Sequence, residues 1–327
     1  MKFLIAIICA LAGLAAATIA TPYQGFAAET FVEIPRGTGT RAIAQELTKD
    51  GVIRYTWGFE LLRLVKPSAK LQAGEYRFAK PASALEVFNR LARGDIYFVE
   101  FTVPEGSNIF DIATSLETEG VMSANAFLAA AEDPSLIRDL APKAKTLEGY
   151  LFPSTYRLSH ATTPARLSKM MTDEFRKQWS KLTAGNKADP RSTVTLASLV
   201  EKETASPDER PLIASVFRNR LAQGMRLQCD PTTIYAALLE NRYRGAIHKS
   251  DLTSANPYNT YENAGLPPGP IANPGAESLR AALEPADSPF LYFVAKPAGE
   301  GHQFSTTIAQ HEKAVIAYRH ATQRKIR

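Results

Sequence analysis

Glu203 lies seven, four and three residues beyond Leu196, Leu199 and Val200 in the segment Leu196-Ala197-Ser198-Leu199-Val200-Glu201-Lys202-Glu203-Thr204. On a helix that spacing sets an acid on an apolar stripe. Desolvation disfavours the charged form of such a carboxyl and raises its pKa, which keeps a Glu protonated near neutral pH as a proton donor. Glu201 falls on the other side of the same helix, beside Val194, Ala197 and Ser198. Of the two acids, Glu203 is therefore the candidate for chemistry. The pattern also accommodates a purely structural role, with Glu203 bonded to Arg210 or Arg220.

Other chemistries find no support in the chain. Its five histidines, His160, His248, His302, His311 and His320, form no close pair and have no cysteine beside them, so no metal site is expected. There is no Gly-x-Ser-x-Gly elbow and no glycine-rich phosphate or dinucleotide loop, so no cofactor is expected. Carboxylate chemistry remains. Hydrolytic glycosidases pair two carboxylates across the scissile bond. Glu203 has no such partner nearby in sequence, and Glu148, Asp230 and Glu277 lie too far along the chain for sequence to place them. A lone acid suffices where a hydroxyl of the substrate replaces water as the nucleophile.

The elements that must position Glu203 can be read around it. Asp189-Pro190 caps and starts its helix, and Pro207 stops the helix from running on. Glu203 then sits in the last turn, where the negative end of the helix dipole opposes its ionisation. Ser206-Pro207-Asp208-Glu209 has the form of a capping box opening a second helix through Ile213, Phe217 and Leu221 to Gly224. Further helices are expected from Pro231 to Leu239 and from about Thr307 to Thr322, with a buried strand from Phe290 to Ala295. Between them runs a loop from Asn256 to Gly275 containing five prolines, four asparagines and two tyrosines. A loop of that length inside a compact domain is usually functional. Tyr258 and Tyr261 could stack on sugar rings while Asn259 and Asn263 bond hydroxyls, although the same residue types also hold loops together.

The amino-terminal half repeats itself. Ile34-Pro35-Arg36-Gly37-Thr38 leads to Ile43-Ala44, Leu47 and Gly51-Val52, and Val103-Pro104-Glu105-Gly106-Ser107 leads to Ile112-Ala113, Leu116 and Gly120-Val121, with a constant offset of 69 positions. Each copy reads as a strand (Phe31 to Ile34; Phe98 to Val103), a Pro-x-Gly turn and a helix ended by Gly. A later Tyr-Arg-apolar strand follows each, at Tyr76-Arg77-Phe78 and Tyr156-Arg157-Leu158. Two related α+β modules follow from this. Strand, glycine turn and Ile-Ala helix resemble the glycan-binding LysM module; a duplicated βα unit without a ligand is the alternative, since a fold element does not specify one.

Phe3 to Ala20 carries no charge, follows a single Lys2 and reaches the length of a membrane-spanning helix, although Gly25, Ala27 and Ala28 would also suit a signal peptidase. Either way Lys2 stays inside and the rest of the chain is exported. Hydrophobic residues make up 45% of the 327 and charged residues 22%, which is globular usage and excludes a disordered chain. Only Cys9 and Cys229 are present, so no structural disulfide is expected. The formal charge of +5 suits an anionic lipid surface or an acidic wall polymer, and export argues against nucleic acid.

Several ordered motifs then converge. Leu147-Glu-Gly-Tyr-Leu-Phe-Pro-Ser-Thr-Tyr156, Ala197-Ser-Leu-Val-Glu-Lys-Glu-Thr204, Val216-Phe-Arg-Asn-Arg-Leu221 and Gly224-Met-Arg-Leu-Gln-Cys-Asp-Pro-Thr232 are followed by Tyr258-Asn-Thr-Tyr261, Gly265-Leu-Pro-Pro-Gly-Pro-Ile271 and His302-Gln-Phe-Ser305. Together they resemble the YceG-like endolytic murein transglycosylases over nearly the whole chain. That resemblance implies a bacterial inner-membrane protein with one amino-terminal helix and a periplasmic body, cutting nascent peptidoglycan strands internally beside the wall synthases. The second Glu of the family's Glu-Lys-Glu motif, its catalytic acid, maps onto Glu203. Within the matching motifs Glu148, Asn219, Gln228, Tyr258, Asn259 and Tyr261 are candidates for substrate binding. Cys229 stands where a small polar residue is more usual, and Ser154 where Asp is common, so no acid role is assigned at Ser154.

The expected architecture is α+β: an N-terminal membrane helix, LysM-like βα modules, and a mainly helical C-terminal catalytic domain with some strands. Its parts are an anchor or signal at 1–28, a first α+β module at 29–97, a second, LysM-like one at 98–182, a catalytic domain at 189–322 and a basic tail at 323–327. The implied reaction leaves a 1,6-anhydromuramic end. A water-using muramidase and a non-catalytic wall-binding scaffold are the alternatives.

Overall fold

The computed structural model describes residues 2–184, 187–296 and 301–325; the last two residues of the basic tail fall outside them. The structure mixes helix and strand, with about half of the chain helical. Its first helix, α1 (Lys2–Ala20), has 19 residues and is long and apolar enough to cross a membrane. At 1.5 Å per residue it spans about 28 Å, close to the thickness of a hydrocarbon core.

Two compact units divide the chain, Met1–Glu100 with Arg157–Thr162, and Phe101–Tyr156 with Thr163–Arg327. The modules expected at 98–182 and 189–322 thus lie mostly within the second. In the first unit, β1 (Thr30–Ile34) is followed by α2 (Thr40–Lys49), α3 (Thr56–Val65), β2 (Gly74–Phe78) and α4 (Ala84–Arg93). β1 and β2 pair antiparallel in a register that sets Thr30 opposite Phe78 and Ile34 opposite Gly74. The alternating positions Val32, Ile34, Tyr76 and Phe78 point into a core closed by Ile43, Leu47, Phe59 and Phe88. Ser83 and Glu86 form a full capping box at the start of α4.

The second unit opens on part of β3 (Val99–Thr102), which pairs with β4 (Thr155–Leu158). Between these strands lie α5 (Ile109–Thr118) and α6 (Ala124–Ala131). Gly37 and Gly106, the turn glycines of the two repeats, both adopt left-handed backbone at φ of 84° and 77°. That shared conformation is what each Pro-x-Gly turn requires, and few residues other than glycine adopt it readily.

The remaining elements are α7 (Pro164–Leu182), α8 (Pro190–Glu203), α9 (Arg210–Ala222), α10 (Asp230–Leu239), α11 (Lys249–Leu252), α12 (Ala276–Leu283), β5 (Tyr292–Ala295), β6 (His302–Ser305) and α13 (Ile308–Lys325). As expected, Asp189 caps α8 by accepting the Ser192 N–H at 2.9 Å, with Pro190 in the first turn. α8 packs against α9, α10 and α12. Val194 to Val200 are all buried, so the helix is enclosed on both sides and not on one stripe alone.

Two local expectations are corrected. The Phe290 to Ala295 segment forms the shorter strand β5, which is half-buried and pairs only with β6. The capping box at Ser206 does not form: Glu209 accepts hydrogen bonds from the His302 backbone N–H and the Thr204 hydroxyl, and also bonds the His302 ring. A long-range contact with β6 has outcompeted the local cap.

Candidate active site

Glu203 is the last residue of α8, as its sequence position requires. It keeps some solvent access, which a donor to an external substrate needs. Burial is nevertheless the largest influence on its carboxyl and raises its pKa above the ordinary range. The Cys229 thiol donates a hydrogen bond that favours the ionised form, and the charge of Asp230 opposes ionisation. His302 and Arg220 act in the other direction through their charge, with smaller effect. Burial, together with the contact to Glu203, holds the Cys229 thiol well above its usual pKa, so it remains a neutral donor.

Neither arginine neutralises Glu203 directly. Arg210 reaches Glu201 at 3.2 Å, in a pair whose side chains are only 9% and 5% exposed, and a second carboxylate, Glu105, lies at 3.5 Å. The other oxygen of Glu201 accepts the Gly275 N–H at 2.8 Å, at the N-terminus of α12. Arg220 is spent on backbone, donating to the carbonyls of Leu291 at 2.6 Å and Leu227 at 2.8 Å. Two acids two positions apart therefore receive opposite treatment. Glu201 is paired with a cation and an N–H, while Glu203 is pushed toward its protonated form.

Asp230 stands in the first turn of α10, directly after Cys229, and accepts the Tyr261 hydroxyl at 2.6 Å. Sequence could not place it; the fold brings it within electrostatic reach of Glu203. The signal available was the adjacency of Asp230 to Cys229 in a matching motif. Gln228, exposed and at φ of 51°, forms the turn that delivers Cys229 and Asp230. A non-glycine residue in that conformation is uncommon and marks a backbone held by its surroundings. Here the Gln228 and Cys229 N–H groups donate to the Thr260 carbonyl and hydroxyl.

The other predicted binding residues separate into three groups. Tyr261 is at the site through Asp230. Asn219 uses its amide on the Ser288 and Phe290 carbonyls, and fully buried Asn259 donates to the carbonyls of Leu252 and Ser254. Both hold chain segments together. Asn263 does the same within the loop. Glu148 and Tyr258 lie away from Glu203, around a separate cavity with Tyr235. Glu148 is buried, with one oxygen accepting from Ile109 N–H and Tyr235 hydroxyl, the other from Asn273. Burial pushes it up to about 8.

This geometry provides a proton donor that can also accept a proton, beside a second carboxylate able to face positive charge. Cys229→Ala should raise the titration midpoint of Glu203 further, because it removes a hydrogen bond to the ionised form. Carbon-13 NMR of the Glu203 carboxyl reads this directly; a lowered midpoint would contradict the arrangement.

Comparison with known proteins gives a consistent result. A model of the YceG-like family matches residues 32–317. A Bacillus subtilis protein named endolytic murein transglycosylase is 35% identical over 306 residues, covering 88% of this chain and 84% of its own length. A Streptococcus pneumoniae protein of the same name is 30% identical over 88% of this chain, which spans 58% of that longer relative. A crystal structure of a yceG-like protein from Listeria monocytogenes superposes with a TM-score of 0.58 at 30% identity, covering 87% of this chain and 98% of its own.

Proposed function

The chain belongs to the YceG-like family, and from that premise we propose that it is a membrane-anchored lytic transglycosylase that cuts peptidoglycan strands internally. Its relatives carry the name endolytic murein transglycosylase, and this protein is an enzyme of that kind. The observation that carries the mechanism is Glu203, a desolvated carboxyl with a raised pKa and no ion-pair partner among the described residues.

Protonated Glu203 donates to the glycosidic oxygen between N-acetylmuramic acid and N-acetylglucosamine. The bond from that oxygen to muramic C1 breaks, and the N-acetylglucosamine oxygen leaves as a hydroxyl. Positive charge develops at C1, where the Asp230 carboxylate supplies opposite charge. The C6 hydroxyl oxygen of the same sugar closes onto C1 and its proton passes to the Glu203 carboxylate. A 1,6-anhydro end forms without water, and the acid is regenerated. The internal hydroxyl has a high effective concentration, which offsets the absence of an activated water.

α1 holds the enzyme in the inner membrane with Lys2 on the cytoplasmic side and the body in the periplasm. The order of β3, α5, α6 and β4 in the second repeat supports its reading as a LysM-like glycan-binding module. Work beside the synthases, ending nascent strands, is the corresponding role. Asp230 beside Glu203 favours one second reading, a muramidase that activates water with a carboxylate pair. Mass spectrometry of a digest separates the two. The proposed product is lighter by one water than a reducing end; only reducing ends would establish the muramidase instead.

A further inference from the structure

Resting on peptidoglycan as the substrate, we propose that a second cavity, lined by Tyr150, Tyr235 and Tyr258 together with Lys143, Lys145 and Arg191, binds the carboxylate-ended peptide stem of the strand held at Glu203. The cavity has a volume of about 370 Å³ and lies wholly within the second unit. None of the groups that set the acidity of Glu203 lines it.

The first argument is an orphan. Tyr150 is fully buried and its hydroxyl has no hydrogen-bond partner in the protein. A buried hydroxyl left unpaired is destabilising, and a ligand acceptor in the cavity it lines would remove that penalty. Charge gives the second argument. Lys143, Lys145 and Arg191 form no ion pair among the described residues, and Arg191 donates to the Pro268 carbonyl. The acid of the cavity, Glu148, has both oxygens already engaged inside the protein, and burial disfavours its ionised form. The lining therefore carries an excess of positive charge over an aromatic and proline wall, which matches a carboxylate borne on small apolar residues.

The third argument is connection. α10 begins at Asp230, beside the acid, and reaches Tyr235 in the cavity roughly 7.5 Å further along its axis. The loop does the same, with Tyr258 against Tyr235 at a ring separation of 5.1 Å and Tyr261 on Asp230. Two elements thus each present one end to the acid and the other to the cavity. A muramic sugar at Glu203 carries its peptide on the same residue, so a single substrate can occupy both.

The experiment uses the full chain in detergent, with Glu203→Gln in parallel to read binding without turnover. A synthetic wall tetrapeptide with a free terminal carboxylate, its terminal amide and inorganic phosphate are titrated by calorimetry. The acid peptide should bind, the amide should bind at least about tenfold more weakly, and phosphate at equal concentration should not displace the peptide. Tyr150→Phe, which removes only the orphan hydroxyl, and Lys143→Ala with Lys145→Ala, at two exposed side chains, should each weaken binding about tenfold. Absent binding, equal binding of acid and amide, displacement by phosphate, or unchanged affinity in both variants would overturn the proposal. Anhydro ends formed without peptide binding would overturn this inference alone. Peptide binding without anhydro ends would overturn the catalytic reading and leave the cavity assigned.

Discussion

Glu203→Gln is expected to lower the rate of anhydro-end formation by about 10³-fold, within the 10²–10⁴ range of general acid–base catalysis, while the protein stays folded. Glutamine keeps the shape and can neither give nor take the proton, and the proposed cycle needs both transfers. The loss should be in kcat, since the carboxyl acts on the bond being broken. Glu201→Gln provides the contrast. It removes the nearer of the two carboxylate partners of Arg210 and the acceptor for Gly275, so it lowers stability, but assayed well below its melting temperature it should keep substantial activity. Full activity in Glu203→Gln with loss in Glu201→Gln would reverse the assignment. The pH profile adds a sign. Burial raises the pKa of Glu203, and the protonated form starts the reaction, so activity is present below that pKa and is lost as pH rises through it.

The stripe of Leu196, Leu199 and Val200 was legible because helical spacing alone puts Glu203 beside them. So were the cap at Asp189 and the repeated glycine turns, which depend on residues adjacent in sequence. What sequence did not disclose is long-range. Arg210 choosing Glu201, Glu209 choosing His302 over its own capping box, and Asp230 arriving beside Glu203 all join segments that only packing brings together. The loop from Asn256 to Gly275 shows the division inside one segment. Its length announced importance, but Asn259 and Asn263 hold backbone, Tyr261 faces Asp230 and Tyr258 faces the second cavity. Residue type could not separate those roles, because a buried amide and a sugar-binding amide have the same chemistry. At the far end of the same loop Asn273 donates to Ser107 and Glu148 and accepts the Leu151 N–H. That one side chain ties the loop to the turn at Ser107 and to the Leu147–Tyr156 segment.

Arg210→Met is expected to destabilise the second unit by about 3–5 kcal/mol, the usual cost of leaving a buried charge without its partner. In a unit of this size each kcal/mol shifts the melting temperature by roughly 2–4 °C, so a fall of about 10 °C should be visible by calorimetry. The reason lies in Glu201, whose side chain is 5% exposed and would keep only the Gly275 N–H. Adding Glu201→Gln to Arg210→Met removes the stranded charge and should recover a large part of the loss. A double-mutant cycle isolates that coupling, which should be well above 1 kcal/mol for groups in direct contact. A melting temperature within about 2 °C of wild type in Arg210→Met would show that the pair contributes nothing. If the coupling is found, Arg210 has a function beyond stability: it engages Glu201, so that of two neighbouring acids Glu203 is the one left without an ion-pair partner among the described residues.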